Sequence, residues 1–249
     1  MDIMGLALSV VMGLLAGLLV NFFLDTLPFS RTKLTPHCIH CSQPMQWGRW
    51  LFFQKCAECS QPRSARTTWV FIFYLLSSLI MHFFPPGMLG YWIGLGLLAY
   101  FGLVFVMDLE HHVIVYPVTI FGAIIGLALG IYLWGWVSAI IGGLAGLGIM
   151  YLFYLFGRLF GRWMKKRRKI EMDEETLGFG DVTISGVIGF MLGWPQIIGG
   201  LILGILFGGL TSALIILISV SRKKYNPSLA IAYAPFLVLG AMVFLYIPK

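Results

Sequence analysis

Charged side chains are scarce in this sequence. Asp, Glu, Lys and Arg make up 11% of the 249 residues, against roughly 25% in soluble domains. With 59% of the residues hydrophobic, a soluble fold would be left with large exposed apolar patches, so that class is excluded. Acidic residues number only ten and cysteines only four. No independent nucleotide-binding fingerprint is present. The net charge of +7 would suggest nucleic acid as partner in a soluble protein. In a membrane protein it reflects basic loops on one face, and no nucleic acid is expected.

What is abundant is long apolar sequence. Eight segments stand out, at about 3–24, 67–84, 88–107, 115–134, 136–157, 181–194, 196–220 and 229–247. Most approach the roughly 20 residues that cross a bilayer as a helix; 181–194 is short. The first has only Asp2 ahead of it and no small-residue cleavage site before Asn21, so it reads as a retained span and not a removed signal. The expected fold is an all-α polytopic membrane protein of about eight transmembrane helices.

Basic residues set the orientation. Sixteen of the 17 lie in three loops: Arg31, Lys33, Arg49, Lys55, Arg63 and Arg66; Arg158 through Lys169; and Arg222, Lys223 and Lys224. The turns at Pro85-Pro86, Trp134-Gly135-Trp136 and Trp194-Pro195 carry none. The positive-inside bias places the N-terminus outside and the three basic loops in the cytoplasm. Within the cytoplasmic loop 158–180, the segment 161–177, basic and then acidic, reads as a flexible loop whose cations face anionic headgroups.

That topology leaves Asp108, Glu110 and Asp181 near membrane depth. Asp108 falls at the cytoplasmic end of the third span and Asp181 at the cytoplasmic start of the sixth. Asp25 falls just past the first. End-of-span carboxylates have ordinary readings: they are solvated at the interface, or, for Asp181, cap the sixth helix. The alternative is a shared water-filled cavity. There two carboxylates would hold one proton, one acting as base toward water while the other polarises a carbonyl. Gly178 and Gly180 would then admit a peptide backbone close to Asp181. His111 and His112 lack further ligands nearby and read as interfacial.

Cys38, Cys41, Cys56 and Cys59 form two Cys-x2-Cys pairs separated by fourteen residues. Each pair offers two thiolates to one tetrahedral ion, which suits structural zinc. Two disulfides or free thiols are the alternatives; a reducing cytoplasmic location disfavours disulfides. Glycines at helical spacing, Gly122, Gly126 and Gly130, Gly142 and Gly146, and Gly200, Gly204 and Gly208, suit close helix packing in lipid. No longer internal repeat stands out.

Gly178-Phe179-Gly180-Asp181 resembles the Gly-x-Gly-Asp motif of intramembrane aspartyl proteases, and Asp108-Leu109-Glu110-His111-His112 resembles the other aspartate segment of type IV prepilin leader peptidases. Asn21 with Leu27-Pro28, and Ala234-Pro235-Phe236 with Leu237 and Gly240, resemble that family's first boundary and last span. The chain departs from the family pattern at Val115-Tyr116, Thr183 and Thr26, where Pro-Asp, lysine and a basic residue are usual. The resemblance implies an endopeptidase of the bacterial inner membrane that removes the leader from pilin-like precursors at the cytoplasmic face. Asp108 and Asp181 would be catalytic, with Gly178, Gly180 and Glu110 in support. It also implies a tetracysteine zinc module and, in many relatives, methylation of the new N-terminus with S-adenosylmethionine. The expected division is a first helix, 1–24, a zinc-ribbon-like loop, 25–66, and a protease core, 67–249. A proton-coupled transporter and a zinc-loop scaffold are the competing classes.

Overall fold

Apolar runs become helices because a bilayer offers backbone N–H and C=O groups no partners, and a helix pairs them internally. A computed structural model describes residues 3–29, 34–168, 178–221 and 232–247. It contains nine helices among these residues: α1 (Ile3–Thr26), α2 (Trp47–Leu51), α3 (Ala65–Phe83), α4 (Gly90–His111), α5 (Tyr116–Trp134), α6 (Trp136–Arg168), α7 (Phe179–Leu192), α8 (Gln196–Ser221) and α9 (Ala234–Tyr246). No strand forms among them beyond an isolated bridge between His37 and Pro44. Six helices are long and apolar enough to cross a membrane, and α7 and α9 are shorter apolar helices. The protein is thus an all-helical, multi-pass membrane protein. Residues 169–177 of the loop expected at 158–180, and Arg222-Lys223-Lys224, lie outside the described residues.

The chain divides into two compact units. The first holds α1 to α4. There α1 packs on α3 through glycines: a Cβ on Gly13 would come within 2.9 Å of the Tyr74 carbonyl oxygen, and one on Gly17 within 3.0 Å of the Phe71 ring. Tyr74 closes the α3–α4 side, its hydroxyl donating to Leu98 O at 3.1 Å.

The second unit holds α5 to α9 and is organised around α7. Ten of the 14 residues of α7 are buried. Gly142 and Gly146 of α6 abut the Gly189 and Ser185 carbonyls so closely that any side chain would overlap them, and a Cβ on Gly126 of α5 would lie 3.1 Å from Val187 O. Across α8 and α9, a Cβ on Gly204 would lie 3.1 Å from Leu237 Cα. The glycine periodicity is therefore a packing device, and it serves chiefly to enclose α7.

The shortness of α7 has a structural reason. Its far end is pinned beside the start of α6, where Trp194 N donates to Ser138 O at 3.0 Å and Ser138 Oγ donates to Trp194 O at 2.8 Å. At its near end Phe179 meets Tyr154, ring centroids 6.0 Å apart. From that level α6 runs on for about four more turns to Arg168. The first turn of α7, with Asp181, is consequently recessed within the length of α6.

Candidate active site and tetracysteine loop

Asp108 lies in the penultimate turn of α4, and its carboxyl-bearing residue is only 6% exposed. The helix ends three residues later at His111. His112 then adopts a left-handed backbone, with its N–H bonded to Asp108 O at 2.9 Å and its Nδ1 within 3.0 Å of the same oxygen. This turns the chain sharply away just after the aspartate.

Asp181 is 7% exposed and sits in the first turn of α7. It does not cap the helix, as one reading of the sequence had it. The helix begins earlier, at Phe179, and the cap position is Gly178, which has no side chain to offer. As an anion in the first turn, Asp181 is favoured by the positive end of the helix dipole. Neither Gly178 nor Gly180 has a left-handed backbone. A Cβ at Gly178 would come no closer than 3.6 Å to any atom, and one at Gly180 no closer than 3.5 Å. The fold itself does not require glycine at either position. Asp108 belongs to the first compact unit and Asp181 to the second.

Glu110 is engaged within the protein. Its Oε2 accepts from Arg66 Nη1 at 2.6 Å. Arg66 also donates through Nη2 to Asp25 Oδ1, and Asp25 Oδ2 accepts from Arg63 Nη2 at 2.7 Å and from Trp50 Nε1 at 2.8 Å. Asp25, expected just past the first span, lies inside the last turn of α1 and is buried. Three donors compensate its desolvation, as a buried carboxylate demands. Burial lowers the Arg63 pKa from its ordinary value, while Asp25 opposes the shift. The network clamps the tetracysteine loop onto α1 and ties α3 to the end of α4. Its sequence signal was an acidic residue at the end of an apolar run with two arginines downstream, a pattern that only the fold makes specific.

All four cysteines are free thiols, and their Sγ atoms lie within 4.8 Å of one another. Cys38–Cys59 and Cys41–Cys56 are each separated by 3.7 Å. Sulfurs about 2.3 Å from a tetrahedral zinc would be about 3.8 Å apart, so the cluster fits one such ion. His37 and His40 are not part of it.

The loop is built from a repeat absent from the sequence reading. Cys38-Ile39-His40-Cys41-Ser42-Gln43-Pro44 and Cys56-Ala57-Glu58-Cys59-Ser60-Gln61-Pro62 share the pattern Cys-x2-Cys-Ser-Gln-Pro. Both copies fold alike. Ser42 and Ser60 have φ of 56° and 55°, and their N–H groups return to Cys38 O at 2.7 Å and Cys56 O at 3.1 Å. Backbone N–H groups of Cys59 and then Glu58 pull the Cys56 thiol down to about 6. This supplies a first thiolate for a cation, and the remaining thiols must release protons on binding.

With this geometry in place, comparison with known proteins points to one family. The description of the type IV leader peptidase family matches residues 95–217. That stretch begins within α4 and ends within α8, taking in both Asp108 and Asp181.

Over those residues the chain is similar to the type IV leader peptidase family.

The similarity supports a peptidase, a hydrolase. No curated protein and no solved structure matches the chain.

Proposed function

We propose that the protein removes the leader peptide from pilin-like precursors, with Asp108 and Asp181 as an aspartyl pair. The observation that carries this is that each aspartate is buried at the end of an apolar helix, within the family-matched stretch. One carboxylate takes a proton from water. The other, protonated, donates to the scissile carbonyl and stabilises the charge that develops there. The water oxygen bonds to the carbonyl carbon, the peptide C–N bond breaks, and the leaving amine collects a proton from the pair. Gly178 and Gly180 leave room for an extended peptide beside Asp181. Glu110 supports the α4 end through Arg66.

In this reading the protein resides in a bacterial inner membrane, N-terminus outside, with cleavage at the cytoplasmic face. The segment 67–249 is the catalytic core, and the loop 25–66 is a structural module in which Cys38, Cys41, Cys56 and Cys59 hold zinc. Zinc there supplies a cross-link and no chemistry, since four thiolates leave no open position. Methylation of the new N-terminus with S-adenosylmethionine is a separate proposal that rests on resemblance alone.

Purified protein incubated with a panel of precursors, each with a basic leader and an apolar helix, should release the leader. Asp108→Asn and Asp181→Asn should each abolish release while leaving insertion and folding intact. A transporter would lose ion flux instead, and a scaffold would lose neither. Normal cleavage by either variant would end the aspartyl-pair mechanism.

A further inference from the structure

The tetracysteine loop carries an aromatic turn that its cysteine knuckles do not use. Trp47, Leu51, Phe52 and Phe53 lie between the two knuckles, and Trp50 alone among the aromatic residues of this turn is buried. Phe52 is 73% exposed and Trp47 54%. Such a turn on a water-facing loop would be costly. Its depth explains it.

Asp25, Arg63 and Arg66 form a charged layer where α1 ends and α3 begins. The aromatic turn reaches past that layer toward the middle of the helices. Phe53 packs against Phe71, ring centroids 5.5 Å apart, and Phe71 lies about 8 Å beyond Arg66 along α3. Arg63 sits over the Phe53 ring at 5.0 Å. Trp47 stacks on Phe22 of α1 at 5.0 Å. Leu51 and Phe53 then complete an apolar groove of about 550 Å³ whose other walls are Leu14, Leu15 and Leu18 of α1 and Phe71 and Ile72 of α3. Leu18 lies about 10 Å inside the charged layer along α1. The groove is thus continuous with the outer faces of two spans. Exposed Arg49 lies within the same turn and exposed Lys55 two residues after it, and Glu58 is the one acidic residue in 34–64.

We propose that the turn Trp47–Phe53 is inserted in the bilayer, and that the groove holds an acyl chain of an anionic phospholipid whose phosphate meets Arg49 and Lys55. The tetracysteine module is then bound to the membrane along its side, and not only tethered at its two ends. Aromatic side chains suit this depth, with apolar bodies below the headgroups and the indole N–H of Trp47 at their level. The inference rests on the chain spanning a membrane and is independent of the peptidase reading.

The test uses the full chain with its metal, reconstituted in vesicles of phosphatidylethanolamine and phosphatidylglycerol. p-Benzoylphenylalanine is introduced at Phe52 or, as control, at Glu58 on the second cysteine knuckle, and irradiated. Phospholipid adducts should form at position 52 in roughly tenfold excess over position 58, the ratio expected from burying one large apolar side chain. Phosphatidylglycerol should be enriched among them, and Arg49→Gln with Lys55→Gln should remove that enrichment. A readout without substitution at Phe52 is quenching of tryptophan emission by lipids brominated near the headgroup, which should fall when Trp47 is replaced by Phe. Equal lipid adducts at both positions, or none at 52, would overturn the proposal. So would replacement of the lipid adduct at 52 by an adduct to an added pilin precursor, which would assign the groove to substrate.

Discussion

Arg66 Nη1 lies 2.6 Å from Glu110 Oε2, which joins the second residue of α3 to the last turn of α4, two residues beyond Asp108. The other arm of the same guanidinium holds Asp25. Removing one partner strands the other charges in a dry site, a loss of about 3–5 kcal/mol for a buried pair. Asp25→Asn should therefore lower thermal stability markedly. Glu110→Gln, at a more exposed position and still able to accept from Arg66, should cost far less. Melting curves in detergent check the order. Equal losses would show that Asp25 is not the hub.

The two motif glycines make a contrasting case. Since a Cβ at Gly178 or Gly180 meets nothing closer than ordinary contact distance, Gly178→Ala and Gly180→Ala should fold with melting temperatures close to that of the parent. If a precursor backbone approaches Asp181, the same variants should raise KM or lower kcat about tenfold or more, the scale of roughly 1.4 kcal/mol of lost transition-state contact. Unchanged kinetics would show that the glycines are not facing substrate.

At Gly142 and Gly146 the expectation reverses. Both abut carbonyl groups of α7, so Gly142→Val or Gly146→Val should separate α6 from α7 at a cost of about 1–3 kcal/mol or more. Thermal unfolding and protease sensitivity would report it. Tolerance of valine at both would mean that α7 is held less closely than the structure has it.

These residues also mark what the sequence could and could not reveal. Apolar run length disclosed the helices, because a span must pair its own backbone and reach across a fixed thickness. The four-residue glycine spacing disclosed close packing for the same periodic reason. Asp25 lies one residue beyond the expected run yet inside α1, because apolar composition does not show whether a helix stops before or after a carboxylate; three donors from residues 25 to 41 positions away decide it. Asp181 was open to a capping role because Gly178, one residue before the helix, carries no side chain to signal the cap. The Cys-x2-Cys-Ser-Gln-Pro repeat was plainly present but short, and its meaning emerged only when both serines took the same left-handed backbone.

The cysteine cluster makes a compositional prediction. One zinc ion per chain should be found by elemental analysis of protein purified without chelator, at Zn–S distances of about 2.3 Å by X-ray absorption. Binding should release protons, because thiolates and not thiols are the ligands. Cys38→Ser should lose the ion and loosen the loop, seen as faster proteolysis between residues 34 and 64. Absence of zinc, or recovery of disulfides, would refute the site.

Orientation is the prediction least dependent on family. It follows from span length and the placement of basic residues, and it decides whether both aspartates are open to a cytoplasmic leader. Gly87 is exposed in the turn between α3 and α4, with nothing within 4 Å of a side chain there. Arg162 is exposed on α6 beyond its membrane-length portion, Trp136–Phe160. Cysteines introduced at these positions, with the native four protected by metal, should label oppositely in intact cells. Gly87→Cys should react with an impermeant maleimide added outside, whereas Arg162→Cys should react only after the membrane is opened. The short α7 makes this test pointed, because a re-entrant α7 would invert everything that follows it. Ser221→Cys, at the end of α8, should therefore match Arg162→Cys. If Ser221→Cys labels from outside while Arg162→Cys does not, α7 fails to cross, and the eight-span arrangement is wrong.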